Sequence, residues 1–110
     1  MASDLSFIEY VTDNMKNCGA IRFRKMFGEY GVYCNDKIVA LVCDNQLFVK
    51  QTIAGREFIE DITLAPAYPN AKDSFLITDE IDDSEWLSEL IKITEKELPK
   101  PKAKKSIKKT

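Results

Sequence analysis

Three cations stand close together at the start of a stretch rich in glycine and aromatic residues. They are Arg22, Arg24 and Lys25, and residues 24–33 read RKMFGEYGVY. A guanidinium presents a planar pair of N–H donors that matches a carboxylate or a phosphate, so the cluster is a candidate anion-binding surface. Lys50 is a further candidate, which could approach the cluster across the fold. The alternative is that these cations form ion pairs with the protein's own acidic residues.

The neutral residues of the same stretch have a structural and a functional interpretation. Gly28 and Gly31 permit either the close approach of a ligand or a bend in the chain. Met26 and Phe27 are of types that more often lie in a core than on a surface. We therefore assign these four residues to folding, and expect Tyr30 to face outward with the cations as a binding candidate.

The residues needed for most enzyme mechanisms are missing from the sequence. It contains no histidine, no phosphate-binding loop and no GxGxxG pattern, which excludes histidine-based acid–base and nucleophilic catalysis. Three cysteines without histidine make a zinc site improbable, so we expect reduced, structural thiols. The acidic residues 79–85 suit either a weak cation site or a solvated loop before a capped helix, and we favour the loop. The sequence predicts a non-enzymatic protein without a metal or a cofactor.

Charge is distributed unevenly along the chain. All 18 acidic residues but only 10 of the 16 basic ones lie in residues 1–98, which gives them a net charge of −8. The remaining six are lysines of the last twelve residues, and we expect residues 100–110 to form a disordered tail. An acidic body repels nucleic acid. Any contact with nucleic acid must then come from the tail or from a local patch. Weak binding of nucleic acid by the tail and the Arg22–Lys25 patch is one alternative function, and sensing of a small anion is another.

Apolar periodicity predicts the helices and their ends. A first helix is expected over residues 4–18 with Ser3 as its N-cap, and a second begins after Thr52, although Gly55 weakens that prediction. The clearest helix covers residues 82–98, where Asp82 and Glu85 have the spacing of a capping box. Residues 21–27, IRFRKMF, instead show the alternation of a strand until it slips before Gly28.

The strands predict an antiparallel sheet. Four short strands follow one another between residues 21 and 50, with Asn-Asp and Asp-Asn turns between the later ones. A loop then leads from the second helix to a strand at residues 75–77. The order α-β-β-β-β-α-β-α predicts an α+β two-layer sandwich, in which an antiparallel meander carries helices on one face. We expect one domain, residues 1–99.

Four segments together resemble the amino-terminal domain of the TfoX/Sxy family. They are FRKMFGEYGVY, IVALVCDNQLFVK, APAYPNAKDSFLI and WLSELIKITEKELP, and the resemblance extends over residues 4–99. It implies a two-layer α+β fold like that of secretion chaperones. Founding members are bacterial regulators of natural competence thought to act with the cyclic-AMP receptor protein. They carry a second, carboxy-terminal domain, which we do not find here.

The resemblance implies no catalytic residues, so we expect a regulatory module that contacts another protein. A transcription factor or RNA polymerase is the partner that a competence-type role suggests. A homodimer is a further expectation, since a sheet covered on one face leaves an edge or an apolar strip to cover. The acidic amino terminus and the lack of an apolar run of about 20 residues predict a cytoplasmic protein without a membrane segment.

Overall fold

The computed structural model describes residues 3–15, 18–26 and 29–99. Three α-helices, six strands and a short 3₁₀ helix make up this part of the chain. In order they are α1 (Leu5–Asp13), β1 (Ile21–Met26), β2 (Glu29–Cys34), β3 (Lys37–Cys43), β4 (Gln46–Val49), α2 (Ile53–Phe58), β5 (Leu64–Pro66), β6 (Asp73–Ile77), the 3₁₀ helix (Asp79–Asp82) and α3 (Ser84–Glu97).

The strands form a single antiparallel sheet in the order β1-β2-β3-β4-β6-β5. The first four are the predicted meander, and β6 lies beside β4. The α+β class and the element order are thus confirmed. One detail differs from the prediction: residues 64–66, expected in a loop, form the short edge strand β5. The sequence Leu-Ala-Pro does not indicate a strand, because proline has no backbone N–H to donate to a neighbouring strand and is tolerated only where none is needed.

Two tight hairpins connect the middle strands as predicted. Asn35 and Asp36 join β2 to β3, and Asp44 and Asn45 join β3 to β4. All four have positive φ, between 52° and 70°. That backbone conformation is the one that the two central residues of a type I′ turn require, and Asn and Asp tolerate it better than most residues. Local residue chemistry therefore sets the register next to each turn, and a shift between Val32 and Tyr33 changes the register of β2 against β3 farther along the pair.

The helices lie on one face of the sheet, called here the helix-bearing face. One buried cluster joins strand residues such as Val32, Leu47 and Phe75 to Ile8 of α1 and Leu90 of α3, all with no exposed surface. Burial of each such side chain contributes about 1.5–3 kcal/mol. This cluster holds the two layers together.

The N-cap of α1 differs from the prediction, and Ser3 instead connects the start of the helix to the sheet. Asp4, not Ser3, is the N-cap residue, and its side chain makes no cap hydrogen bond. The Ser3 hydroxyl instead donates to Glu29 Oε1 over 2.7 Å and accepts from Asn45 N over 2.9 Å. Glu29 Oε1 also accepts from Asp44 N. The helix ends at Asp13, five residues earlier than expected.

Acidic side chains accept hydrogen bonds at the amino termini of both later helices, and at α2 they supplement the N-cap Thr52, whose side chain accepts from Gly55 N as predicted. Asp83, rather than the predicted Asp82, is the N-cap of α3, and its side chain accepts from Trp86 N. At α2, Glu97 reaches back from the end of α3 and accepts from Ile53 N and from the amide of the next residue. Within the described ranges, no helix is long and apolar enough to cross a membrane.

The opposite face of the sheet, called the open face, is also apolar. Leu41 of β3 lies opposite Phe48 of β4, which lies opposite Leu76 of β6, and Tyr33 lies opposite Ile38. Phe48 is only 4% exposed and the other four are half-buried. The runs IVALVC and LFV account for this, since strands buried on both faces lack an apolar–polar alternation.

Candidate functional site at the β1 edge

Strand β1 forms one edge of the sheet and carries three of the predicted binding residues. It pairs with β2 alone, in a register that sets Arg22 opposite Tyr33 and Arg24 opposite Gly31. The other edge is β5, which has three residues and ends at Pro66. The six-residue β1 is therefore the longer edge, and the only one that carries a cluster of cations in the described part of the chain.

The cations of β1 are divided between the two faces of the sheet. Phe23 packs against the core on the helix-bearing face, and side chains alternate along a strand, so Lys25 shares that face. Arg22 and Arg24 lie on the open face. The three cations therefore do not form the single anion-binding surface that we expected, because adjacent residues of a strand point to opposite faces. The three cations have the edge itself in common, and all three are exposed.

Tyr30 does not face outward as we expected. It is only 8% exposed and belongs to the buried cluster. Its ring meets that of Phe23 edge to face, with centroids 5.6 Å apart. Tyr30 and Val32 are two residues apart on β2, so their side chains point to the same face of the sheet, which the helices cover. Tyr30 is not available to a partner in this fold.

The environments of the cations differ. Arg22 Nη2 lies 3.3 Å from Asp36 Oδ1 and its guanidinium carbon lies 4.7 Å from the centre of the Tyr33 ring. Both members of this ion pair are more than half exposed, so it contributes at most about 1 kcal/mol. Arg24 and Lys25 have no ion pair among the described residues. Two of the three charges are thus available to an external anion.

Gly31 has a packing role beside this edge. A β-carbon there would lie 2.6 Å from Met26 Cε and 3.2 Å from Ile38 Cδ1, so the glycine makes room for the Met26 side chain. This supports the interpretation of Met26 and Gly31 as structural. Phe27 and Gly28, with the bend predicted at them, lie outside the described residues, as does the tail at 100–110.

On the outer side of β1, backbone groups have no partner among the described residues. Ala20 O accepts from Asn35 N over 2.9 Å, and Ala20 N donates to Asn35 Oδ1 over 3.0 Å. Both backbone groups of Ala20 therefore face Asn35, at a hydrogen-bonded position of the ladder. In an antiparallel ladder such positions alternate with non-bonded ones. Arg22 and Arg24 therefore bond to β2, while the N–H and C=O of Phe23 and Lys25 point away from the sheet. No described residue bonds to these outward groups.

The outward backbone groups could not be predicted from the residues of β1 alone, since a strand's place in the sheet depends on long-range pairing. One signal could have suggested them: charged residues repeated within a strand are typical of an edge. Arg22, Arg24 and Lys25 supply three charges within six residues.

Lys50 lies apart from this cluster. It follows β4, which is three strands away from β1, and this corresponds to roughly 14 Å at the usual spacing of neighbouring strands. Lys50 therefore does not approach the arginines as we expected. It lines instead a groove with Phe48 of the open face and with Leu98, the residue after α3.

The cysteines are structural in character. Cys18, Cys34 and Cys43 are all buried and unbridged. Burial raises the pKa of Cys18 to about 12 and raises the pKa values of the other two thiols. A thiol with so high a pKa is neutral at physiological pH and a poor nucleophile. Among the residues that the structure covers, no group of three His, Cys, Asp or Glu side chains could hold a metal ion.

Two comparisons with known proteins give matches that span most of the chain. The profile of the TfoX N-terminal domain matches residues 13–97. A Spirochaeta aurantia protein, described as "Uncharacterized 12.7 kDa protein in trpE 5'region", is 37% identical over 110 residues, which cover 100% of this chain and 96% of the relative. The matching family is one of regulatory-type, non-catalytic domains. The chain belongs to the TfoX N-terminal domain family.

Proposed function

We propose that this chain is a regulatory module that acts by binding another protein, and that its β1 edge takes an extended acidic segment of that partner. The segment adds to the six-stranded sheet beside β1, a mode in which main-chain hydrogen bonds supply affinity. One observation carries the proposal: the outward backbone groups of Phe23 and Lys25 occur on the same edge as three exposed cations.

Strand addition accounts for cations on both faces of the sheet. The side chains of an added strand alternate between the faces, as those of β1 do. Acidic residues on one side of the segment meet Arg22 and Arg24, and one on the other side meets Lys25. Opposite charges on neighbouring strands contribute about 0.2–1 kcal/mol per pair.

Charge also selects among possible occupants of this edge. A second copy of the chain pairing antiparallel through β1 would set Arg22, Arg24 and Lys25 against the same residues, and like charges on neighbouring strands are destabilising. The described body of the protein is acidic overall, so its field opposes most polyanions at long range. A short acidic strand held by backbone hydrogen bonds fits both constraints.

We further propose that the partner belongs to the transcription apparatus and that binding takes place in the cytoplasm. The regulatory type of the family supports the first statement. Three unbridged cysteines support the second, because cytosolic thiols stay reduced.

The test uses a fluorescent, end-capped peptide of alternating glutamate and valine in which one central valine is replaced by glutamate, so that both faces of the strand carry a carboxylate, and binding is followed by anisotropy. We expect it to bind the wild-type protein, and Arg24→Glu to weaken binding roughly tenfold because one attraction becomes a repulsion. Lys92→Glu is the matched control: it makes the same change of charge at an exposed position of α3. It should leave the dissociation constant nearly unchanged. Equal weakening by both variants would show only an effect of net charge and would refute a specific site.

The partner is then identified in the native host by placing a photo-crosslinking residue at Lys25 or, as a control, at Lys92. The proposal requires an adduct specific to Lys25 that maps to an acidic segment of a transcription protein. A Lys25-specific adduct with a protein of another process would contradict the transcription role and leave the edge site standing.

A further inference from the structure

The open face has a concave region around a lysine, separate from the β1 edge. Lys50 lines two adjoining grooves of about 440 Å³ and 210 Å³, and Leu98 lines both. Leu41 and Phe48 contribute to the larger groove, which Tyr68 also lines. Tyr68 is 55% exposed, although it is a large aromatic side chain. The larger groove is within the size range of small-molecule sites.

Lys50 is a partly buried cation in this mainly apolar setting. Its side chain makes no ion pair or hydrogen bond with any described residue. Two aspartates line the grooves, but Asp36 is paired with Arg22 and Asp73 lies beyond ion-pair distance. Burial lowers the pKa of Lys50. A partly desolvated charge without a partner is costly to keep, and such groups in concave sites are characteristic of binding sites.

We propose that this groove binds a small carboxylate with an apolar, preferably aromatic, body. The carboxylate pairs with Lys50 Nζ, and the body lies against Leu41 and Phe48 beside Tyr68. Lys72 also lines the larger groove, but it is exposed, so Lys50 is the partly buried cation there. One such ammonium without an arginine fork suits a monoanion better than a phosphate group. The site is distinct from the protein-binding edge and adds a ligand-sensing function to it.

The probe is 3-phenylpropionate, titrated at millimolar concentrations into ¹⁵N-labelled protein and followed by NMR. The proposal predicts saturable shifts at the amides of Phe48 and Lys50, with little change in β1. The neutral analogue 3-phenylpropanamide has almost the same shape and tests the contribution of charge. It should bind roughly tenfold more weakly, since hydrogen bonds to charged groups contribute more than neutral ones.

Variants separate charge from shape at the site. Lys50→Met keeps the length of the side chain and should weaken 3-phenylpropionate binding roughly tenfold, whereas Lys50→Arg should retain it. Lys92→Met, at an exposed position of α3, is the control and should bind as the wild type does. Thermal melts establish that each variant is folded. Absence of saturable binding, equal affinity of the amide, equal binding by Lys50→Met, or shifts confined to another region would each overturn the proposal.

Discussion

Replacing Gly55 with alanine should destabilise the protein, although the same change usually stabilises a helix. Gly55 lies inside α2 and is buried against the sheet and α3. A β-carbon at this position would lie 2.7 Å from Thr52 Oγ1 and 3.0 Å from Phe75 Cε2. Phe75 is fully buried, so its ring has little room to move. Thr52 Oγ1 accepts the capping hydrogen bond from Gly55 N.

The expected magnitude follows from three contributions. Helix propensity favours alanine over glycine by about 1 kcal/mol. Overpacking against Phe75 costs about 1–3 kcal/mol, and disturbance of the Thr52 cap costs about 1 kcal/mol. The free energy of unfolding of Gly55→Ala should therefore fall by about 1–3 kcal/mol, with Tm lower by about 4–8 °C for each kcal/mol.

Urea denaturation followed by circular dichroism measures this change, and a double-mutant cycle identifies its cause. Phe75→Leu removes the ring atom that meets the new β-carbon. In that background the cost of Gly55→Ala should shrink by at least about 0.5 kcal/mol, as expected for residues in contact. If Gly55→Ala raised the free energy of unfolding, helix propensity alone would govern this position, and the packing argument for α2 would be refuted.

Three further outcomes are expected. Glu97→Gln should lower stability at neutral pH, because its hydrogen bonds to α2 amides lower the pKa of Glu97; in urea titrations this difference from wild type should vanish as pH falls through that lowered pKa. Burial lowers the pKa of Lys50, so as pH rises the folded state loses this proton before the unfolded state does. The stability of the wild type relative to Lys50→Met, measured in the same urea titrations, should therefore rise as pH approaches the usual lysine pKa of about 10.4. Asn35→Ala should lower the free energy of unfolding by about 1–2 kcal/mol, as measured by thermal denaturation. Alanine adopts the positive φ of 52° at this position less readily than asparagine, and it cannot accept the hydrogen bond from Ala20 N.

Features set by neighbouring residues could be predicted from the sequence. The turns at 35–36 and 44–45 follow from the ability of Asn and Asp to adopt positive φ, so the meander was predictable. The long apolar periodicity of α3 likewise predicted the helix itself, whose buried residues include Leu87 and Ile91. In both cases the information lies within a few residues of the feature itself.

Features set by long-range pairing could not be predicted. Tyr30 is buried because the helices cover the face of β2 that it shares with Val32. Lys50 is far from Arg24 because β4 lies three strands from the edge. β5 exists only because Leu64–Pro66 meets β6. Periodicity shows which residues share one face of a strand, but it does not show which strand lies at the edge. The candidate site therefore became visible only with the strand order.

Amide hydrogen exchange tests the β1 edge most directly. The Phe23 and Lys25 amides point outward in the free protein, whereas those of Arg22 and Arg24 are bonded to β2. Addition of the glutamate–valine peptide should slow exchange at Phe23 and Lys25 and change it little at the two arginines, because only the outward donors gain new partners. If the peptide bound with exchange at Phe23 and Lys25 unchanged, the edge would not be extended by a strand and the central claim would be contradicted.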